Sequence, residues 1–343
     1  MRVLVAMSGG VDSTLAAALL LEQGHEVVGG TLRLVDPSPV SEVADPAGAA
    51  AGLGISFTSW DLRGDFARLV IEPFAAAYAA GRTPNPCIHC NARLKFGFLL
   101  DRARELGVDA LATGHYARIV PDTQRQPCLA RGTDRRKDQS YFLFALARAA
   151  LTFVRFPLGG LTKDTVRAMA RDRGLAAAER AESQEICFVP GDDYAGFLAR
   201  QAPAGAFVPG PIVDTAGRQR GEHRGLAHYT VGQRRGLGVA AGSPLYVVAL
   251  AAASNTLVVG PDAALWRDDL VATGVNWLVD EPETDFRAAV RIRSRHDPAP
   301  ARLAPAGDGS WKVLFDEPQR AITPGQAAVF YDNDTVLGGG WIL

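Results

Sequence analysis

The sequence predicts an α/β chain: an N-terminal parallel sheet covered by helices, then a small central β-rich module, then a C-terminal β-barrel. Three observations carry this expectation. Across the first 200 residues, short apolar runs alternate with Ala/Leu-rich stretches of helical period, the pattern of a parallel sheet with helices on both faces. Beyond that point helical periodicity nearly vanishes, and short strands alternate with Gly, Asn and Asp turns. Between the two halves, residues 202–211 (APAGAFVPGP) have the Pro/Gly composition of a linker. A second composition change at 261–269 divides the later half, so the expected domains are 1–201, 202–265 and 266–343.

Element by element, residues 2–7 (RVLVAM) form a short apolar run stopped by glycine, which reads as a buried strand. A helix follows over 14–23 and ends at Gly24, a natural position for a left-handed cap. Strands are expected at 26–34, 55–60 and 110–113, and helices at 65–78 and 91–106. The Pro/Ala/Ser-rich stretch 35–51 reads as a mobile loop. In the second half the clearest strands are 245–250, 256–259, 288–292, 311–315 and 327–331, and there is no internal repeat. Ligands of parallel sheets bind at the carboxyl ends of the strands, so chemistry is expected in the loops after the first, second and fourth strands.

Composition narrows the function classes. Of 343 residues, 36 are Lys or Arg and 37 are Asp or Glu, so the net charge of −1 excludes a globally basic nucleic-acid coat but not local patches. Four cysteines are too few for a disulfide scaffold in a chain this long, and imply reactive or metal-binding thiols in a reducing cytoplasm. No apolar run reaches the roughly 20 residues that span a bilayer, and the N-terminal apolar stretch is a strand rather than a signal peptide.

Ser8-Gly-Gly-Val-Asp-Ser-Thr14 lies between the first strand and the first helix, where backbone N–H groups and hydroxyls at a helix start can hold an anion. A plain turn capped by Asp12 or Ser13 is the competing reading. The Gly-Lys-Ser/Thr ending of a Walker loop is absent. The segment resembles the signature of the ATP pyrophosphatases, which adenylate a carbonyl-like oxygen and release pyrophosphate.

Thr83-Pro-Asn-Pro-Cys87-Ile-His-Cys90-Asn-Ala-Arg-Leu-Lys95-Phe96 brings two thiols to the start of a helix, with a lysine one turn further on. A thiolate at Cys90 would be favoured there by the helix dipole and by Lys95. Cys187 lies in Glu182-Ser-Gln-Glu-Ile-Cys-Phe188. Cys128, in an Arg-rich segment without a partner motif, reads as a structural thiol. Cys-x-x-Cys is also half a zinc site, but no second pair completes a tetrahedron.

Taken together, these segments resemble the tRNA-specific 2-thiouridylase family, as do Thr113-Gly-His-Tyr-Ala117, Lys137-Asp-Gln-Ser-Tyr141, Phe156-Pro-Leu-Gly159 and His228-Tyr-Thr-Val-Gly-Gln-Arg-Arg-Gly-Leu-Gly238. The resemblance covers nearly the whole chain and implies an adenine nucleotide α hydrolase-like ATP pyrophosphatase domain that thiolates the wobble uridine of tRNA at C2. It implies ATP over Ala6, Met7, Ser8, Gly9, Gly10, Val11, Asp12 and Ser13, flanked by Leu32 and Gly114, with Asp12 helping to hold Mg2+. It implies a persulfide on Cys187 and attack by Cys90, leaving a Cys90–Cys187 disulfide, with sulfur supplied by a cysteine desulfurase or sulfur carrier. Some members carry an acid/base Asp where this chain has Cys87, so that role is unassigned, and a [4Fe–4S] cluster on Cys87, Cys90 and Cys187 is a second option.

For tRNA, the resemblance implies contacts from His115, Lys137, Asp138, Gln139, Ser140, Arg293 and Gln326. Basic runs support RNA contact: Arg131 with Arg135–Lys137, then Arg218 through Arg235, then Arg291-Ile-Arg-Ser-Arg295. In the last of these, strand alternation would set three guanidiniums on one face. A solvated face is the alternative for any one run. The wobble base must leave the anticodon stack to reach the nucleotide.

Overall fold

The computed structural model describes residues 1–36, 45–179, 186–189, 191, 193–201, 207–240 and 242–343. Its first sheet is wholly parallel, in the order β3-β2-β1-β4-β7, formed by Ser56–Asp61 (β3), Glu26–Arg33 (β2), Arg2–Ala6 (β1), Ala110–Thr113 (β4) and Val154–Arg155 (β7). The chain winds outward in one direction through β1, β2 and β3, then returns to place β4 on the other side of β1. This reversal opens a crevice at the carboxyl ends of β1 and β4. The central strands are apolar because both faces are covered: Val3, Val5 and Ala112 pack under helix α1 (Val11–Glu22), while Leu4 and Leu111 face the helix formed by 86–105.

Boundaries moved where local chemistry outweighed periodicity. Helix α1 starts at Val11, three residues before the expected start, because Gly10 takes an extended N-cap conformation. Asp45, through its side chain, caps a helix over Pro46–Gly52 (α2), so the end of the expected 35–51 loop is helical, while residues 37–44 lie outside the described residues. A continuous helix α3 (63–79) contains one π-helical stretch, Ala67–Ile71. Helix α4 runs over 86–105 and starts five residues earlier than expected, because Pro86 occupies its first turn, where a missing N–H is harmless. Its middle, Asn91–Phe98, is π-helical.

The second half forms two further sheets. Tyr246–Ala251 (β10), Thr256–Gly260 (β11), Gly210–Asp214 (β8) and Gln219–His223 (β9) make a four-stranded sheet around Ile212, Tyr229, Val247, Leu257 and Val259. Trp266–Trp277 (β12), Phe286–Arg291 (β13), Ala299–Gly307 (β14), Ser310–Arg320 (β15), Ala327–Asp332 (β16) and Thr335–Ile342 (β17) form a barrel, closed where β12 pairs with both β15 and β17. Trp311, Val313 and Phe330 fill it. Among the described residues no helix is long and apolar enough to cross a membrane.

A hairpin that sequence periodicity did not reveal, Ala117–Pro121 (β5) with Pro127–Arg131 (β6), leaves the first domain and adds to barrel strand β17. Cys128 is buried in it, as expected of a structural thiol. Beside this junction lies Asp138, whose side chain is fully buried. Its Oδ1 accepts from the backbone N–H groups of Gly132 and Ser140, and its Oδ2 from Ser140 Oγ and, at 2.7 Å, from Arg291 Nη1. Ser140 Oγ lies 3.2 Å from the Tyr331 hydroxyl, and Tyr141 donates to the Ala327 carbonyl. One carboxylate therefore ties two domains together.

Removing one member of a buried pair leaves the other charged and unsatisfied, at a cost of about 3–5 kcal/mol. Arg291→Met is therefore expected to lower the thermal unfolding midpoint strongly, whereas replacement of the exposed, ion-paired Arg287 by Met leaves it nearly unchanged; calorimetry of both variants checks this.

Candidate active site

The loop after β1 and the first turn of α1 are built to hold an anion. Gly9 has φ +76°, and a Cβ there would lie 2.8 Å from the backbone of Asp45, so only glycine fits between this loop and α2. Ser13 Oγ accepts from Ser8 N–H and donates to the Gly10 carbonyl, and Thr14 Oγ1 donates to the same carbonyl at 2.9 Å. The loop is thus folded back on the helix start with its hydroxyls ordered.

This loop forms one wall of a cavity of about 300 Å³ at the carboxyl ends of β1, β2 and β4. Ala6, Met7, Ser8, Asp12, Ser13, Leu32 and Gly114 line it; Gly30, Thr31, Leu34, Lys95, Leu99, Thr113, His115 and Gln139 complete it. Of the residues expected over the nucleotide, Gly9, Gly10 and Val11 shape the loop from behind: Val11 packs on Ala170, Ala177 and Ala178. Gly114 approaches α1 so closely that a Cβ would sit 2.8 Å from backbone atoms of Asp12 and Ser13.

Asp12, on the cavity wall, has two side-chain partners. Lys163 Nζ donates to its two oxygens at 2.7 and 2.8 Å, and the Tyr116 hydroxyl donates to Oδ1 at 2.8 Å. Thr162 caps the helix Lys163–Asp172 (α5), and the Lys163 side chain is only 8% exposed. The carboxylate expected to help hold magnesium is thus also matched by an ammonium group. Sequence reading missed Lys163 and quoted Tyr116 only within the Thr113–Ala117 motif, without a role of its own. Thr162 as a capping residue was the only local signal.

The thiols lie at the other end of helix α4. Cys87 is in its first turn, and Cys90 sits deeper, buried with Leu94, Phe66, Phe74 and Phe188. The N-terminal dipole argument made for Cys90 is therefore corrected. Burial raises its pKa, against a smaller lowering by Lys95 and a further rise from Cys87. Cys187 follows Ile186 on a segment whose Phe188 and Val189 enter the same apolar cluster. It keeps an exposed edge, yet surrounding atoms desolvate it, and that together with Cys90 and Cys87 pushes its pKa up to about 11, with Lys95 acting downward. All four cysteines are free thiols. Glu182 to Glu185 of the Cys187 motif lie outside the described residues.

Among the described residues no group of three Cys, His, Asp or Glu side chains is set as metal ligands. Cys87, Cys90 and Cys187 are near enough to act on one another electrostatically.

The expected RNA contacts divide. His115 lines the same cavity, with Nδ1 2.7 Å from Thr113 Oγ1 and its ring near Phe96 and Phe156; burial, then Lys95, lowers its pKa well below the usual value, so the ring is neutral. Gln139 also faces the cavity, and its Oε1 accepts from Tyr116 N–H. Lys137 is half-buried. Asp138 and Ser140, expected on an RNA-facing surface, are buried in the interdomain network. The three guanidiniums at 291, 293 and 295 do not share a strand face, because β13 ends at Arg291, which is buried. Arg293 is half-buried and donates to the Arg320 carbonyl, and Arg295 is exposed. Gln326 Nε2 donates to the Thr83 carbonyl and so joins the barrel to the loop before the thiols. Arg218 and Arg220 pair with Asp214, Arg135 with Asp334, and Arg136 lies 3.9 Å from Asp134; Arg224, Arg234 and Arg235 are exposed.

Comparison with known proteins extends over the whole chain. The family described as tRNA methyl transferase HUP domain matches residues 1–191, tRNA methyl transferase PRC-barrel domain matches 196–261, and Aminomethyltransferase beta-barrel domain matches 267–342. A protein named tRNA-specific 2-thiouridylase MnmA from Syntrophotalea carbinolica is 52% identical over 99% of this chain and 98% of its own length. Proteins of the same name from Chloroflexus aggregans (52%; 99% of this chain, 98% of theirs) and Magnetococcus marinus (49%; 100% and 99%) are similar throughout.

Because the Gly114 approach fixes the first turn of α1, Gly114→Ala is expected to displace Asp12 and Ser13 and weaken MgATP binding about tenfold or more, with the fold retained. Gly160→Ala, where an added Cβ meets nothing within 4 Å, leaves binding unchanged; equilibrium dialysis of the two variants reads the difference.

Proposed function

The chain belongs to the tRNA-specific 2-thiouridylase family, and we propose that it adenylates the C2 oxygen of the tRNA wobble uridine and replaces that oxygen with sulfur carried as a persulfide on Cys187. The observation that carries this reading is that one helix, α4, joins the two chemistries. Its first turns bear Cys87 and Cys90, Lys95 and Leu99 line the nucleotide cavity, and the Cys187 segment packs against it.

The cavity takes the nucleotide with adenosine between Leu32 and Gly114 and phosphates over Ser8 and the start of α1. ATP brings its magnesium on the phosphates. Lys163, held by Asp12, lies beside the same helix start and supplies positive charge at the departing pyrophosphate. The uridine O2 attacks the α-phosphorus and pyrophosphate leaves. A C2 oxygen carrying AMP is a far better leaving group than the free oxygen.

The terminal persulfide sulfur on Cys187 then attacks C2, and the C2–O bond breaks with release of AMP. Cys90 thiolate attacks Sγ of Cys187, breaking the S–S bond. The pair of electrons stays with the sulfur now on the base, and Cys90 and Cys187 become a disulfide. An external thiol reductant restores both thiols, and a sulfur-donor protein, a cysteine desulfurase or sulfur carrier, reloads Cys187. Burial of Cys90 fits this order: the thiol is shielded from adventitious oxidation and reacts only with a partner brought against it. His115 and Gln139, at the rim of the same cavity, meet the flipped nucleotide as neutral hydrogen-bonding groups. Lys137, Arg293 and Gln326 bear on the tRNA at the junction of the first domain and the barrel, and the reaction is that of a cytoplasmic enzyme.

Thiolation of unmodified tRNA with MgATP and a sulfur source is expected from aerobically purified protein, and equally after anaerobic treatment with iron and sulfide. Cys187→Ser and Cys90→Ser each lower the rate by more than about 100-fold, whereas Cys128→Ser, in the β5–β6 hairpin, leaves it intact. Activity gained only after iron loading would replace the persulfide route by a cluster-based one. No thiouridine from either preparation would sink the reading.

A further inference from the structure

Helix α4 contains an unusual stretch at the place where sulfur and nucleotide chemistry meet. Over Asn91–Phe98 it is π-helical, with i→i+5 bonding, and Cys90 is the residue that caps this stretch. In an α-helix, residues five apart point about 140° away from each other. A π-turn turns the chain more slowly, so Cys90 and Lys95 come to stand on one side. Lys95 is the only basic residue of this helix on the nucleotide cavity wall. His89 and Arg93 leave by another face, where His89 stacks on Trp341 at 4.7 Å. Among the described residues Lys95 pairs with no carboxylate at ion-pair distance, unlike Lys163 across the cavity.

We propose that Lys95 is a catalytic residue for sulfur transfer, whose ammonium neutralises the attacking sulfur anion and the nucleotide α-phosphate at once. The inference rests on the functional reading above. A persulfide anion approaching an adenylated base meets the negative α-phosphate, and the two repel. A cation between them removes that barrier and follows the charge as it passes from sulfur to departing AMP. Bond by bond, C2–S forms, C2–O breaks and the electron pair leaves on the AMP phosphate; Lys95 keeps its proton throughout. The charged groups around it are consistent with this position. Cys87 and Cys90 lie on its own helix, Cys187 on the segment 186–189, His115 on the loop after β4, and Asp12 with Lys163 across the cavity, while Tyr78 of α3 packs on the Cys90 cluster. Lys95 acts electrostatically on all three thiols and on His115.

The test separates this charge from the rest of the site. Alkylation of the exposed Cys187 by iodoacetate, an anion, and by neutral iodoacetamide is followed by peptide mass analysis near neutral pH, without tRNA or ATP. The iodoacetate-to-iodoacetamide rate ratio is expected to fall about tenfold in Lys95→Gln and to recover in Lys95→Arg. In thiolation, Lys95→Gln lowers kcat about 100-fold while the KM for MgATP stays within about threefold, and Lys95→Arg recovers most of the loss. An unchanged alkylation ratio, or an Arg variant no better than Gln, overturns the proposal whatever the activity. A shifted ratio in a protein whose wild type makes no thiouridine retains the action of Lys95 on the thiols and overturns instead the reaction on which its catalytic role rests.

Discussion

A single buried carboxylate holds the first domain and the C-terminal barrel in register. Asp138 accepts four hydrogen bonds, one of them from Arg291 of the barrel, and its side chain has no exposure to water. The next residue, Gln139, reaches into the nucleotide cavity, and Tyr141, two residues on, anchors to β16. Because a buried ion pair is costly unless every oxygen is satisfied, the surrounding backbone must hold one geometry. The cavity wall and the barrel therefore cannot shift independently, and the β5–β6 hairpin, continuing β17, stiffens the same joint. A second tie, Gln326 to the Thr83 carbonyl, fixes the barrel to the loop that leads into the thiols.

The first sheet was legible because its strands are covered on both faces and so read as unbroken apolar runs, punctuated by Gly24 and by the glycines at 9 and 10. The later strands and the C-terminal barrel were legible from short strands broken by turn residues, although not the pairing that closes the barrel, between β12 and β17 across 57 intervening residues. The β5–β6 hairpin escaped because its strand β6 is buried throughout its middle and carries no alternating pattern. Helix α4 was placed late because Pro86 reads as a breaker until it is recognised as a first-turn residue.

Within the site, residues held by backbone position were easier to read than those defined by partners. Ala6, Ser8, Leu32 and Gly114 fall at or just after strand ends and Asp12 in the first turn of α1, and these boundaries are visible in sequence. Lys163 is remote in sequence from Asp12, and a lysine in a first helical turn looks like a solvated residue until the fold buries it. The opposite failure occurred at Asp138 and Ser140, where polar residues beside a basic run suggested a surface and the fold made them interior. A charge pattern in one dimension does not say which side chains will find partners from another domain.

The π-helical stretch of α4 shows how this difference acts on reactivity. A regular α-helix starting at Pro86 would keep Cys90 and Lys95 on different faces, leaving the thiol in an apolar cluster that disfavours its anion. Burial does raise the pKa of Cys90, so the helix start alone does not make this thiol reactive. The slower π-turn narrows the angle between Lys95, on the cavity wall, and Cys90, on whose thiol Lys95 acts electrostatically. Such a stretch sacrifices regular hydrogen-bond geometry, which a helix tolerates where its neighbours hold it. Here Asn91, buried at the start of the stretch, donates to the Phe142 carbonyl, one residue beyond the Tyr141 that anchors to the barrel. The unusual turn, the buried interdomain network and the thiols are therefore parts of one arrangement: the barrel braces the segment 138–142, that segment braces the π-turn, and the π-turn aims Lys95.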